Sequence, residues 1–199
     1  MDQIWNKLIK GLDKLSAQSK DFNYDLNEGV TDKKIASVEK TIGKALPEDF
    51  KQFYKVHNGE IENGQGILMG EEFLSVERII EEWNIWKDLL DNKEFIEDGV
   101  AIESEPDTGI KNNWWNPFWI PFTYDGSGNH ICIDLDPSQD GNYGQIIRMW
   151  HDDATRELLA NNFTEWITAY TDDLEKGNYV FSDDYGVIIH KDDLIEDDE

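Results

Sequence analysis

Hydrophobic positions divide this chain into stretches of helical period at both ends and a middle of short alternating runs. Ile4, Trp5, Leu8, Leu12 and Leu15 fall at spacings of one, three, four and three, which predicts an amphipathic opening helix over 2–15. After a loop through Asn27-Glu28-Gly29, Thr31 or Asp32 is placed to cap a second helix. Its stripe is Ile35, Val38 and Ile42, and Gly43 stops it. Leu46-Pro47-Glu48-Asp49-Phe50 opens a third helix, with Pro near the first turn and two acids at the positive end of the macrodipole. Leu46, Phe50, Phe53 and His57 share its face and Asn58-Gly59 closes it, so His57 reads as a helix C-terminal residue.

Ile67-Leu68-Met69, after a Gly-rich stretch, reads as a short strand, and Ser75 starts a long acidic helix through Ile79, Ile80, Trp83, Trp86, Leu89 and Leu90. Residues 103–117 read as a loop. Two runs, 118–124 and 129–134, flank Asp125-Gly126-Ser127-Gly128 as a hairpin whose first strand, by Pro121, lies at an edge or begins there. Gln145 to Trp150 is a further strand. Leu159, Phe163, Trp166, Ile167, Tyr170 and Leu174 then predict a helix that ends at Gly177. Tyr179-Val180-Phe181 and Val187-Ile188-Ile189 around Asp183-Asp184-Tyr185-Gly186 form a terminal hairpin or two short edge strands. Helices before and after an antiparallel meander give an α+β class: a central, mainly antiparallel sheet with helices packed against it. At 199 residues this is read as one domain over 1–190, with helix 2–15 peripheral and 191–199 a solvated acidic tail.

Charge changes the picture more than composition does. Aromatics at 12% and hydrophobic residues at 39% argue for a folded body despite the net charge of −25. Residues 1–60 hold 10 lysines and 10 acids, so residues 61–199, with 8 basic and 33 acidic residues, carry the whole excess. Such a field repels nucleic acid and anionic lipid and speeds encounter with a basic protein; the bland alternative is that it serves solubility alone. No run of about 18 apolar residues is present to span a bilayer, the first residues lack a signal peptide's pattern, and Cys132 is the only cysteine. These point to a cytoplasmic chain, with monomer the favoured state. Cys132, between Ile131 and Ile133, reads as core.

Two motifs suggest chemistry, and neither is complete. Asp136-Pro137-Ser138-Gln139-Asp140-Gly141 matches half of a calcium loop, but Ile147 stands where the bidentate Glu belongs, so a turn is favoured and no metal is expected. His151-Asp152-Asp153 places imidazole beside acid without a nucleophile or second ligand, and an Asp pair after a strand suits a cap on a following helix. No catalytic residues, no cofactor and no enzyme activity are expected. Trp114 and Trp115 have two readings, packing beneath the loop or an exposed interface anchor, and at least one of the pair is expected to be partly exposed.

Five segments in order resemble a known group. They are Leu46-Pro47-Glu48-Asp49-Phe50 to His57-Asn58-Gly59, Trp119-Ile120-Pro121-Phe122, Asp125-Gly126-Ser127-Gly128-Asn129, Cys132 to Pro137, and Gly144 to Asp152. Together, over roughly residues 30–180, they are similar to the SUKH superfamily, which includes yeast cell-wall assembly regulators and many bacterial immunity proteins. The resemblance implies an α+β domain, no shared catalytic residues, and an interface that differs from member to member. Its bacterial side implies an immunity protein that neutralises a toxin domain, with the alternative of a regulatory protein-binding scaffold like the yeast members. On the first reading, a basic toxin, perhaps a nuclease, meets an acidic face drawn from Glu71, Glu72, Asp125, Asp134, Asp136, Asp152 and Asp153, with Trp114 or Trp115 as anchor. Asp134 has a second role open to it, fixing the hairpin.

Overall fold

The computed structural model describes residues 1–61 and 64–194. Helix α1 (Asp2–Gln18) leads to strand β1 (Leu26–Glu28), then α2 (Asp32–Ile42), α3 (Glu48–Tyr54) and β2 (His57–Glu60). β3 (Glu72–Phe73) precedes α4 (Val76–Asp91), the short β4 (Ile96–Glu97) and β5 (Val100–Ala101), and β6 (Glu105–Pro106). Strands β7 (Trp119–Pro121), β8 (Thr123–Tyr124), β9 (His130–Asp134), β10 (Gln145–Met149) and β11 (Thr155–Ala160) follow, then α5 (Phe163–Lys176) and the hairpin β12 (Tyr179–Ser182) and β13 (Val187–His190). The main sheet has the order β6-β11-β10-β9-β7 and is antiparallel except where β6 runs parallel to β11. Helices on a largely antiparallel sheet are the α+β arrangement that the sequence pattern predicts.

Strand alternation assigns the two faces of that sheet. Trp86 of α4 donates its indole N–H to His130 Nε2 at 3.2 Å, so His130, Cys132 and Asp134 look toward α4. Ile131 and Ile133 therefore look the other way, toward an aromatic core in which Phe122 meets Phe50, Phe163 and Trp166 at centroid distances of 5.8, 5.6 and 5.1 Å. Helix α1 joins that core rather than lying at its periphery. Trp5, Leu8, Leu12 and Leu15 are buried, Trp5 stacks on Phe53 at 4.3 Å, and its indole N–H donates to the Phe53 carbonyl at 3.0 Å. Gly11 lets α1 approach α5, because a Cβ there would lie 2.5 Å from Leu174 Cδ2.

Local signals and observed ends agree where caps are explicit. The Thr31 hydroxyl accepts from Lys34 N, Ser75 Oγ from Arg78 N, and Gly43 and Gly177 close α2 and α5 at φ of 81° and 78°. They differ at several other places, and the strands β4, β5 and β6 stand where the pattern predicts none. Helix α3 ends before Asn58-Gly59, and His57 opens β2, its ring Nδ1 3.1 Å from the Asn27 carbonyl. Leu159 belongs to β11 and not to α5, which starts at its cap Asn162, and Asp153 caps the start of that strand by accepting from Thr155 N at 2.7 Å. Ile67-Leu68-Met69 forms a tight turn, with Leu68 bridged to Glu71, instead of a strand. The acidic tail from residue 195 onward lies outside the described residues.

Candidate protein-binding surface

Five of the seven acids singled out in the sequence separate into two groups at opposite ends of β9, roughly 15 Å apart for a strand of this length. At one end the β8–β9 turn meets the β10–β11 turn. Asp125 accepts from Ser127 N at 2.7 Å and Asn129 N at 3.0 Å, and the Asn129 side chain accepts from His151 N at 2.8 Å. That relay brings Asp125, Asp152 and Asp153 together on an exposed rim. His151 Nδ1 lies 2.9 Å from Asn129 Oδ1 and 3.5 Å from Asp152, so the imidazole is part of the turn.

At the other end the acids are structural. Asp134 is fully buried, takes Asp136 N and Gln145 Nε2 at 2.8 Å each, and burial pushes its pKa up to about 6. It fixes the hairpin and cannot meet a partner. Asp136 is half-buried and holds Lys111 Nζ at 2.7 Å and Asn116 Nδ2 at 3.0 Å; burial is the largest single influence and raises its pKa, but those hydrogen bonds and the lysine charges together outweigh it and set the carboxyl below the usual carboxylate range. Its carboxylate is therefore occupied.

Glu71 and Trp115 also require correction as partner-facing residues. Glu71 is buried, ion-paired with Arg148 and hydrogen-bonded by the Thr123 hydroxyl; burial raises its pKa against the lowering effect of Arg148. Trp115 is 3% exposed and stacks on Trp86 at 6.3 Å. Its neighbour Trp114 stays half-buried, with its carbonyl accepting from Arg156 Nη2 at 2.6 Å and its ring 5.3 Å from the Arg156 guanidinium. Packing thus claims one Trp of the pair and leaves the other accessible. Arg156 itself is fully buried without a carboxylate partner among the described residues, which lowers its pKa to about 10 through loss of solvation.

Two concavities bound this surface. A cleft of about 560 Å³ is lined by Glu28, Glu60, Glu72, Glu77, Glu81 and Arg78, and Glu72 lies 3.5 Å from Arg78 Nε. A groove of about 340 Å³ separates hairpin β12–β13 from the sheet, with Asp125, Trp150, Tyr179 and Ile188 around the Glu71–Arg148 pair. The loop carrying Gly66 to Phe73 walls both. Glu60 pins it with a buried carboxylate that accepts from Gly66 N at 3.2 Å, Ile67 N at 3.1 Å and Phe73 N at 2.8 Å. Sequence reasoning missed Glu60, whose only signal is a lone acid after Asn58-Gly59. Among the described residues no three His, Cys, Asp or Glu side chains converge as a metal site, and no helix is long and apolar enough to cross a membrane.

The class these features define is an α+β domain with an acidic exterior, whose sheet ends and clefts present carboxylates. The family model described as SMI1 / KNR4 family (SUKH-1) matches residues 29–169, and the chain belongs to that family. It is 29% identical to KNR4/SMI1 homolog 2 of Debaryomyces hansenii, in an alignment covering 90% of this chain and 36% of that protein. It is 24% identical to the cell wall assembly regulator SMI1 of Saccharomyces cerevisiae, over 85% of this chain and 40% of that one. Identity to the cell wall biosynthesis/cell cycle regulator smi1 of Schizosaccharomyces pombe is 30%, over 78% and 33%. The chain spans about a third of the length of the curated relatives it matches. The Saccharomyces and Schizosaccharomyces relatives are named as regulators, which favours the regulatory reading over toxin neutralisation.

Proposed function

We propose that this chain is a regulatory protein-binding domain that engages a basic partner through its acidic surface, in the control of cell-wall assembly. The observation that carries the binding part is how the cations are used. Five of the ten lysines of the first 60 residues pair with carboxylates among the described residues, including Lys7 with Asp172, Lys34 with Glu77 at 2.8 Å and Lys55 with Asp32 at 2.6 Å. Of the basic residues beyond them, Arg148 and Arg156 are spent inside the protein. Carboxylates such as Asp125 and Asp153 therefore face solvent with no Lys or Arg within salt-bridge distance among the described residues. An unbalanced field of this kind raises association rates with a positively charged protein and weakens with salt. The regulatory part is supported by the names of the relatives.

The test is to exchange the matching segment of the yeast regulator for this chain and measure wall glucan. Recovery by the parent, and its loss in an Asp125→Lys, Asp152→Lys, Asp153→Lys variant expressed at the same level, is the expected result. No recovery by the well-expressed parent counts against the reading. Sequestration of a basic toxin domain draws on the same charge of −25. It is distinguished by protection of cells that express such a toxin, with no effect on glucan.

A further inference from the structure

Past α4 the chain leaves the body of the protein and returns as a small free-standing hairpin. Ile96 pairs with Ala101 and Glu97 with Val100, and Asp98-Gly99 turns between them with φ of 51° and 84°, the two positive values that the tightest hairpin turn requires. The base is fastened. Phe95 stacks on Trp86 at 5.9 Å and its carbonyl accepts from Ile102 N at 2.9 Å. Beyond Phe95 nothing among the described residues covers the strands: Ile96 is 44% exposed and Val100 is 70% exposed.

Strand alternation sends those two side chains to opposite faces, so both sides of the hairpin carry an aliphatic group at the tip. An isolated two-stranded hairpin is marginal in water, and bare Ile and Val add nothing to the solubility of an acidic surface. Around the tip the charge is one-sided. Residues 88–107 contain eight acids and one basic residue, Lys93; Asp91 is ion-paired with Lys87, and Glu94, Glu97, Asp98 and Glu103 at the hairpin make no ion pair among the described residues.

We propose that this hairpin is a docking finger, whose Ile96 and Val100 enter an apolar slot on a partner protein rimmed by Lys and Arg. The proposal rests on the reading of the chain as a binder of basic proteins and assigns the contact to one element. Charge complementarity selects this occupant: a second copy of the chain would bring like fields together, and an anionic lipid surface would be repelled in the same way. The apolar tip supplies desolvated area and the surrounding carboxylates the long-range attraction, which is the division found at small interfaces with an apolar centre and polar rim.

The experiment is an NMR titration of the full chain with a synthetic peptide of alternating Leu and Lys, against a control peptide of alternating Leu and Glu. The expected result is that the Leu-Lys peptide shifts amides of 95–102 first. The double variant Ile96→Ser, Val100→Ser should keep the parent's dispersed spectrum and bind at least tenfold more weakly. Asp125→Asn, Asp152→Asn, Asp153→Asn should lose less. If the double variant binds like the parent while added salt still abolishes binding, the finger is wrong and the acidic-surface reading stands. If the Leu-Lys peptide binds no better than the Leu-Glu peptide, both are overturned.

Discussion

The aromatic core between the sheet and helices α1, α3 and α5 differs from the acidic segment after α4 in what each does with its side chains. In the core each group has a partner inside the molecule. Phe53 is buried between Trp5 at 4.3 Å and Phe163 at 5.0 Å, and the Tyr54 hydroxyl donates to the Leu74 carbonyl at 2.9 Å. In the segment from 92 to 103, Phe95 anchors the hairpin on Trp86, while exposed Ile96 and Val100 accompany Glu94, Glu97, Asp98 and Glu103, none of which is ion-paired among the described residues, and Lys93 is the segment's one basic residue. The contrast teaches that stability and recognition are separated along this chain. Substitutions in one region should unfold the protein and leave its charge unchanged; those in the other should do the reverse.

The largest expected effects lie in the first region. Phe53→Ala removes a fully buried ring and should cost about 3–5 kcal/mol in urea unfolding; a cost under about 1 kcal/mol would show that the aromatic cluster does not hold the fold. Next is the ion pair that closes the groove. Arg148→Ala leaves the Glu71 carboxylate buried with only the Thr123 hydroxyl, which should cost about 3 kcal/mol. The double change Arg148→Met, Glu71→Leu should recover most of that, because two apolar groups need no solvation. A double variant as unstable as Arg148→Ala would mean that the pair itself, and not the orphaned charge, sets stability.

Buried titrating groups give a third test, with opposing signs. Burial lifts Glu60 to about 7, against three backbone N–H donors, from about 4.3 in the unfolded chain. Its contribution is therefore complete below about pH 4 and is lost as pH rises through 7. His130, fully buried between Trp86 and the Thr123 carbonyl, is pushed down to about 4 by burial, so its contribution is present above about pH 6.5 and is lost as pH falls. In the parent the two slopes partly cancel. Glu60→Gln removes the first, so its stability relative to the parent should climb between pH 5 and 7 by on the order of 2–3 kcal/mol. Superimposable pH profiles would show that Glu60 does not titrate there.

Legibility followed the same division. Helix α2 is legible to within one residue at its start, where Thr31 and not Asp32 is the cap, and to the residue at its end, because Thr31 and Gly43 mark its limits by local backbone chemistry. The edge placement of β7 followed from Pro121, which has no N–H to give a neighbour. The start of α5 was misplaced because Leu159 continues its helical spacing by chance, while Asn162, the real cap, stands inside the stripe. The site was less legible. Asp125, Asp152 and Asp153 reach one rim, but Asp134, Glu71 and Trp115 disappear into the interior through contacts 11 to 77 residues away in sequence, and no local pattern carries such contacts. The hairpin after α4 was missed although Asp98-Gly99 between Ile96 and Val100 is a hairpin signal.

The smallest expected effect tests the second region most directly. Val100→Ser exchanges an exposed aliphatic group for a hydroxyl of smaller volume, at a position that touches none of the core. Surface changes away from caps, cavities and buried polar groups usually move stability by no more than about 0.5 kcal/mol. The unfolding midpoint in urea should therefore match the parent's. If Val100→Ser instead costs more than about 1 kcal/mol, the tip is packed in solution against the protein's own surface, so it is not free to dock and the separation of the two regions fails. An unchanged midpoint leaves the exposed valine without a structural role in the isolated chain, which is the condition a docking residue must meet.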